Sequence, residues 1–152
     1  MATIHRFEEL NAWKKARELA KAILDVTGQK SFSADYDLVR QIKRASGSVR
    51  DNVAEGFGRG GRAEFSQFLG IAKGSACEVK SQLCRALDSG YLSEDSFQSL
   101  YTLADETAKI IDGSIIYLNK TEVKGRRYAH EPKAVYRIQP NETEDCKQQT
   151  VN

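Results

Sequence analysis

Leu38, Ile42, Ala45, Val49 and Val53 recur in steps of three and four. After a Gly/Arg-rich break the rhythm resumes at Phe65, Leu69, Ala72, Ala76, Val79, Leu83 and Ala86. A period near 3.6 on both sides of a short turn predicts two amphipathic helices folded back as an antiparallel hairpin. A further stripe follows the Ser89-Gly90 break: Phe97, Leu100, Ala104, Ala108, Ile111, Ile115 and Leu118. Polar punctuation then bounds four helices. The first spans roughly Phe7 to Thr27 and ends at Gly28, expected as a left-handed cap. The second starts near Ser33 or Asp35, either able to cap its first amides, and runs to about Phe57. The third covers about Arg62 to Asp88. The fourth runs from after Ser93 to about Leu118, with Glu94 and Asp95 at the positive end of its dipole. Short connections place sequential helices antiparallel. The expectation is an all-α, up-down-up-down four-helix bundle over residues 1–120.

The period is lost after Leu118. Residues 121–152 contain both prolines, Pro132 and Pro140, and read as an irregular, partly disordered tail. Its first part is basic, with Lys124, Arg126, Arg127, Lys133 and Arg137, and its end is acidic, with Glu142, Glu144 and Asp145. The alternative is an arm that docks through Tyr128, Val135, Tyr136 and Ile138. At 152 residues the chain is long enough for one core. Cys77, Cys84 and Cys146 are odd in number and lack zinc-like spacing, so reduced thiols and no structural metal are expected. No segment approaches the ~18 uninterrupted apolar residues of a membrane span, and no apolar run precedes a cleavage site. A cytoplasmic location with no membrane partner is expected.

Candidate chemistry is sparse. The GFGRGG segment, Gly56 to Gly61, follows a helix rather than a strand and lacks a GK[ST] ending, which excludes dinucleotide and P-loop readings. Its glycines are expected to supply the positive φ angles of a tight turn. Asn52 and Glu55 have no histidine or nucleophile beside them, and Glu55 lies four residues before Arg59, suited to ion pairing. His5 and His130 lack metal-ligand spacing. No catalytic residue, metal or cofactor is assigned, and an enzyme is not expected.

Charge is more informative by place than by sum. The net charge is only +2, but Arg40 to Arg62 holds six positive charges against two negative. Arg40, Lys43, Arg44 and Arg50, continued by Arg59 and Arg62, are the candidate nucleic-acid contacts. No aromatic RNA-recognition signature accompanies them, so binding should be electrostatic and weakly sequence-specific. Assembly has its own signature. Leu103, Ile110 and Tyr117 form a second line beside the core stripe of the fourth helix, wider than the ~100° one core needs. On the third helix Gly70, Gly74, Cys77, Ser81 and Cys84 form a small-residue seam. An interior glycine costs roughly 1 kcal/mol relative to alanine, so the seam implies close approach of another helix, from the same protomer or a neighbouring one. Gly70, Gly74, Leu103, Ile110 and Tyr117 are the candidate oligomer interface.

Several motifs resemble a known family. Phe7-Glu8-Glu9-Leu10 followed by Ala12-Trp13-Lys14-Lys15-Ala16 is similar to the opening of the bacterial intervening-sequence proteins first met inside large-subunit ribosomal RNA genes. Gln41 to Ser46, the Asn-Val-Ala-Glu-Gly-Phe-Gly-Arg block from Asn52 to Arg59, Glu64-Phe65, Phe68-Leu69 and Gly90-Tyr91-Leu92-Ser93 match in order and spacing. The resemblance spans about Phe7 to Leu118. It implies a homopentameric barrel of four-helix protomers without established catalysis. It also implies kinship with the accessory variability determinant of diversity-generating retroelements, a pentamer that binds RNA and a reverse transcriptase. The expected partners are therefore a second copy of the chain, RNA or an RNA–DNA hybrid, and a reverse transcriptase. The alternative is a structural oligomer or protein-interaction scaffold with no nucleic-acid role.

Overall fold

The computed structural model describes residues 3–120, so the expectation for the tail 121–152 lies outside the described residues. They form a single-turn 3-10 helix, Phe7–Glu9, and five α-helices with no strand among them: α1 (Asn11–Thr27), α2 (Lys30–Ser33), α3 (Tyr36–Gly58), α4 (Arg62–Asp88) and α5 (Glu94–Lys120). The second, third and fourth helices expected from sequence are α3, α4 and α5. Asp35 caps α3, its carboxylate accepting from the Leu38 amide at 3.1 Å. Ser93 does the same for α5 through the Ser96 amide. α4 ends as a Schellman turn: Gly90 at φ 78° lets the Tyr91 amide reach the Ala86 carbonyl at 2.9 Å.

Three local expectations need correction. The first helix is interrupted at Leu10, which is extended and buried, so the chain enters through a 3-10 turn before α1. Gly28 is not left-handed but αR, at φ −79°. The chain moves almost directly into α2, a four-residue helix missed by pattern, which carries fully buried Phe32 into the core and against Tyr91. In the GFGRGG segment only Gly60 has positive φ, at 79°; Gly56 and Gly58 are helical and Gly61 is the extended N-cap of α4. Gly56 serves a different purpose. A Cβ there would lie 2.6 Å from the Phe68 Cβ and 3.0 Å from a ring carbon of Phe65. α3 and α4 thus cross closely where Gly56 has no side chain.

The apolar stripes converge on two clusters. Leu19, Ile23 and Val26 of α1 meet Leu38 and Ile42 of α3, Val79 and Leu83 of α4, and Phe97 and Leu100 of α5. Toward the other end, Leu10, Ala12 and Ala16 meet Val49, Val53, Phe65, Leu69, Ala108, Ile111 and Leu118. α1 packs on α3 and α5, and α4 packs on the same two. Later residues of α1 meet earlier residues of α3, so that pair runs antiparallel. α4 and α5 are joined by a polar ladder of seven-residue steps: Ser66 to Asn119 at 3.3 Å, Lys73 to Asp112 at 2.6 Å and Lys80 to Asp105 at 2.9 Å. Asp105 is also bound by Lys109 at 2.9 Å. Burial opposes its ionisation, but the hydrogen bonds from Lys109 and Lys80 outweigh it and hold the carboxyl below its usual range. Cys77 is a free, exposed thiol, and Cys146 lies outside the described residues.

Candidate nucleic-acid interface

The outer side of α3 follows from its inner side. Leu38, Ile42, Ala45, Val49 and Val53 are all buried, leaving Arg40, Lys43 and Arg44 exposed. Polar contacts fix which flank faces α4. Arg85 donates to the Gln41 amide oxygen at 3.0 Å, and the Ser48 and Ser75 hydroxyls are 2.9 Å apart. Two residues along a helix turn by about 200°, so Lys43 and Arg50 lie on the opposite flank, toward α1. Arg40 points outward between the flanks. Arg44 borders α4 and lines an open groove of about 390 Å³ with Gln41, Ser48, Ser75, Glu78 and Gln82.

The six sequence-predicted cations therefore do not form one patch. The structure groups Arg40, Lys43 and Arg44 and adds Arg85 from α4, which the sequence reading missed because the register between α3 and α4 is a tertiary fact. Arg50 is half-buried on the α1 side and pairs with Asp51 at 3.3 Å. Arg59 lies about 22 Å beyond Arg44 at about 1.5 Å per residue. It pairs with Glu55 at 2.9 Å, as the spacing suggested, and sits over the Phe68 ring at 5.2 Å. Arg62 is half-buried at the start of α4. Within the group, Arg40 has a 3.5 Å pair with exposed Asp37, and Lys43 and Arg44 make no ion pair among the described residues. An exposed pair contributes about 0–1 kcal/mol, so it offers little resistance to a competing phosphate.

The candidate interface residues divide in the same way. Gly70 and Gly74 are exposed, a Cβ on either would meet nothing within 4 Å, and Cys77 and Ser81 beside them are exposed too. Among the described residues no helix covers Gly70 or Gly74, while Cys84 at the far end of the seam packs against the first core cluster. Leu103, Ile110 and Tyr117 are half-buried and lean on the two core clusters. Glu106, on their flank, pairs with Lys15 of α1 at 3.1 Å, so much of the extra apolar width of α5 is covered within the chain. Ile71 of α4 and Ile116 of α5 are 48% and 47% exposed.

Among the described residues no group of three or more His, Cys, Asp or Glu could hold a metal ion, and no helix is long and apolar enough to cross a membrane. Among the described residues the class is that of a small all-α protein with a group of exposed cations on α3. A model of the 23S rRNA-intervening sequence protein family matches residues 8–113, and the chain belongs to that family. In fold it is similar to the crystal structure of a protein with unknown function from the S23 ribosomal protein family of Bacteroides thetaiotaomicron VPI-5482. The TM-score is 0.65 and the identity 23%, over 69% of this chain and 95% of that chain. No curated protein matches the chain.

Proposed function

We propose that this protein is a non-catalytic, cytoplasmic RNA-binding accessory factor whose protomer is an up-down-up-down four-helix bundle. The observation that carries the reading is the exposed Arg40/Lys43/Arg44 group on an α-helix whose opposite face is fully engaged in the core. The family name, which refers to ribosomal RNA, supports RNA as the polyanion. Five protomers would close into a ring in which the exposed seam at Gly70 and Gly74 of one protomer meets the Leu103, Ile110 and Tyr117 line of the next. The ring repeats the cationic group around its circumference and multiplies phosphate contacts without base readout. The motif resemblance, which implies kinship with a retroelement accessory protein, makes a reverse transcriptase the proposed protein partner, with an RNA–DNA hybrid as a second polyanion.

The test is charge reversal of the group. Arg40→Glu, Lys43→Glu and Arg44→Glu together should abolish binding to a 23S ribosomal RNA fragment at low salt, with helical circular dichroism unchanged because none of the three is buried. Reversal of Lys30, an exposed cation on α2, is the control. Wild-type binding by the triple variant would transfer the proposal to the scaffold alternative.

A further inference from the structure

One cationic feature lies outside the α3 group and is built differently. Trp13, the only tryptophan of the chain, is half-buried on α1 and leans on the second core cluster. Phe7 meets it edge-on, with ring centroids 5.2 Å apart and an interplanar angle of 61°. One turn further, the Arg17 guanidinium carbon lies 5.7 Å from the indole centroid. The indole is thus held from behind by Phe7 and the core, and Arg17 caps it on the solvent side as an exposed residue.

The surroundings are cationic. Lys21 continues the Trp13–Arg17 line by one more turn and is exposed. Lys15 pairs with Glu106 and so marks the α5 flank of α1. Arg17, about 200° away by helix geometry, lies on the flank toward α3, where Lys43 and Arg50 project. Lys14, Arg17, Lys21 and Lys43 make no ion pair among the described residues. The nearby carboxylate of Glu18 is drawn to Lys15 at 3.5 Å.

We propose that the Trp13–Arg17 stack is a platform for an unpaired RNA base, with Lys21 and Lys43 taking the flanking phosphates. The inference rests on the RNA-binding reading and deepens it by naming the class of RNA. A guanidinium plane accepts a base face, and the cation–π contact at 5.7 Å keeps the Arg17 guanidinium over the indole before RNA arrives. Duplex bases are already stacked on each other and cannot use it. The protein should therefore favour unpaired segments over duplex, with tolerance of base identity because every base has a π-face.

The test uses intrinsic fluorescence of the full chain, in which Trp13 is the sole indole reporter. Titration with a short unpaired oligoribonucleotide should change Trp13 emission along the binding curve, and a duplex of equal length should change it much less. Arg17→Lys keeps the charge and removes the plane. It should weaken unpaired RNA by about tenfold while changing duplex binding less than about twofold. A melting curve like that of wild type shows that the variant is folded. Wild type that binds RNA with no change in emission, or Arg17→Lys that binds unpaired RNA like wild type, overturns the platform and leaves the electrostatic reading intact. Absence of any binding by wild type at low salt overturns both.

Discussion

Gly56→Ala is the sharpest probe of how the fold is held. Alanine is the better helix former by roughly 1 kcal/mol, so on local grounds the substitution should stabilise α3. The structure reverses that expectation. The added methyl would stand 2.6 Å from the Phe68 Cβ, an atom fixed to the α4 backbone, and 3.0 Å from a ring carbon of Phe65. A rotamer change can move the ring but not the Phe68 Cβ, so the two helices must separate by about 1 Å. Overpacking of this kind typically costs about 1–3 kcal/mol, and the edge-to-face contact of Phe57 with Phe65, at 6.0 Å, is disturbed as well. Set against the helix-propensity gain, the net expectation is a loss of up to about 2 kcal/mol, read as a melting temperature lower by up to roughly 10 °C. Gly47→Ala, in the same helix and away from the proposed seam, is the matched control: that Cβ meets nothing within 4 Å and should keep the helix-propensity gain. Thermal melts followed by circular dichroism compare the two. A Gly56→Ala protein as stable as the control variant would refute the close crossing.

Asp105→Asn should lower stability, because it removes the carboxylate shared by Lys80 and Lys109 and leaves two partly buried ammonium groups facing a neutral amide. The folded carboxyl titrates below its unfolded value of about 3.9, so its stabilising effect is complete above that pH and fades as pH falls through the depressed folded value. Acid melts of wild type and Asp105→Asn should therefore draw together as the pH falls below about 3.9, and curves that stay parallel would remove the ion cluster as the cause. Light scattering should show the 17.0 kDa chain as a ring of roughly five copies. Gly74→Leu should dissociate that ring with helicity kept; an unchanged ring would place the seam in solvent.

Much of the helical layout was legible because it depends on local signals. Asp35 caps α3, and the Ser89-Gly90 stop and the Ser93 start lie where polar punctuation put them. Elements missed were those whose reason is tertiary. Lys30–Ser33 is too short for a period and is helical so that Phe32 can reach the core. Leu10 breaks the first helix by turning its side chain inward, which no propensity signals. Gly56 and Gly60 look alike in sequence, yet one admits a neighbouring helix and the other makes a turn. The same limit governs the candidate site. A single helix shows its own exposed cations, but the neighbour that faces each flank decides whether they act together. Arg85 joins the α3 group through Gln41, and Arg50 is half-buried and paired with Asp51. The pairing of Trp13 with Arg17 is a local i, i+4 contact that spacing alone could have suggested.

Salt dependence tests the proposed function most directly. Each phosphate contact to single-stranded nucleic acid contributes about −0.7 to the slope of log K against log salt concentration. Contacts from Arg40, Lys43 and Arg44 of one protomer alone should therefore give a slope of about −2, and a ring that engages several protomers a steeper one. The measurement is fluorescence anisotropy of a labelled 23S ribosomal RNA fragment titrated with wild-type protein across a series of potassium chloride concentrations. A straight line with a slope of about −2 or steeper is the expected result. A flat line, or no binding at the lowest salt, would contradict RNA binding through this face.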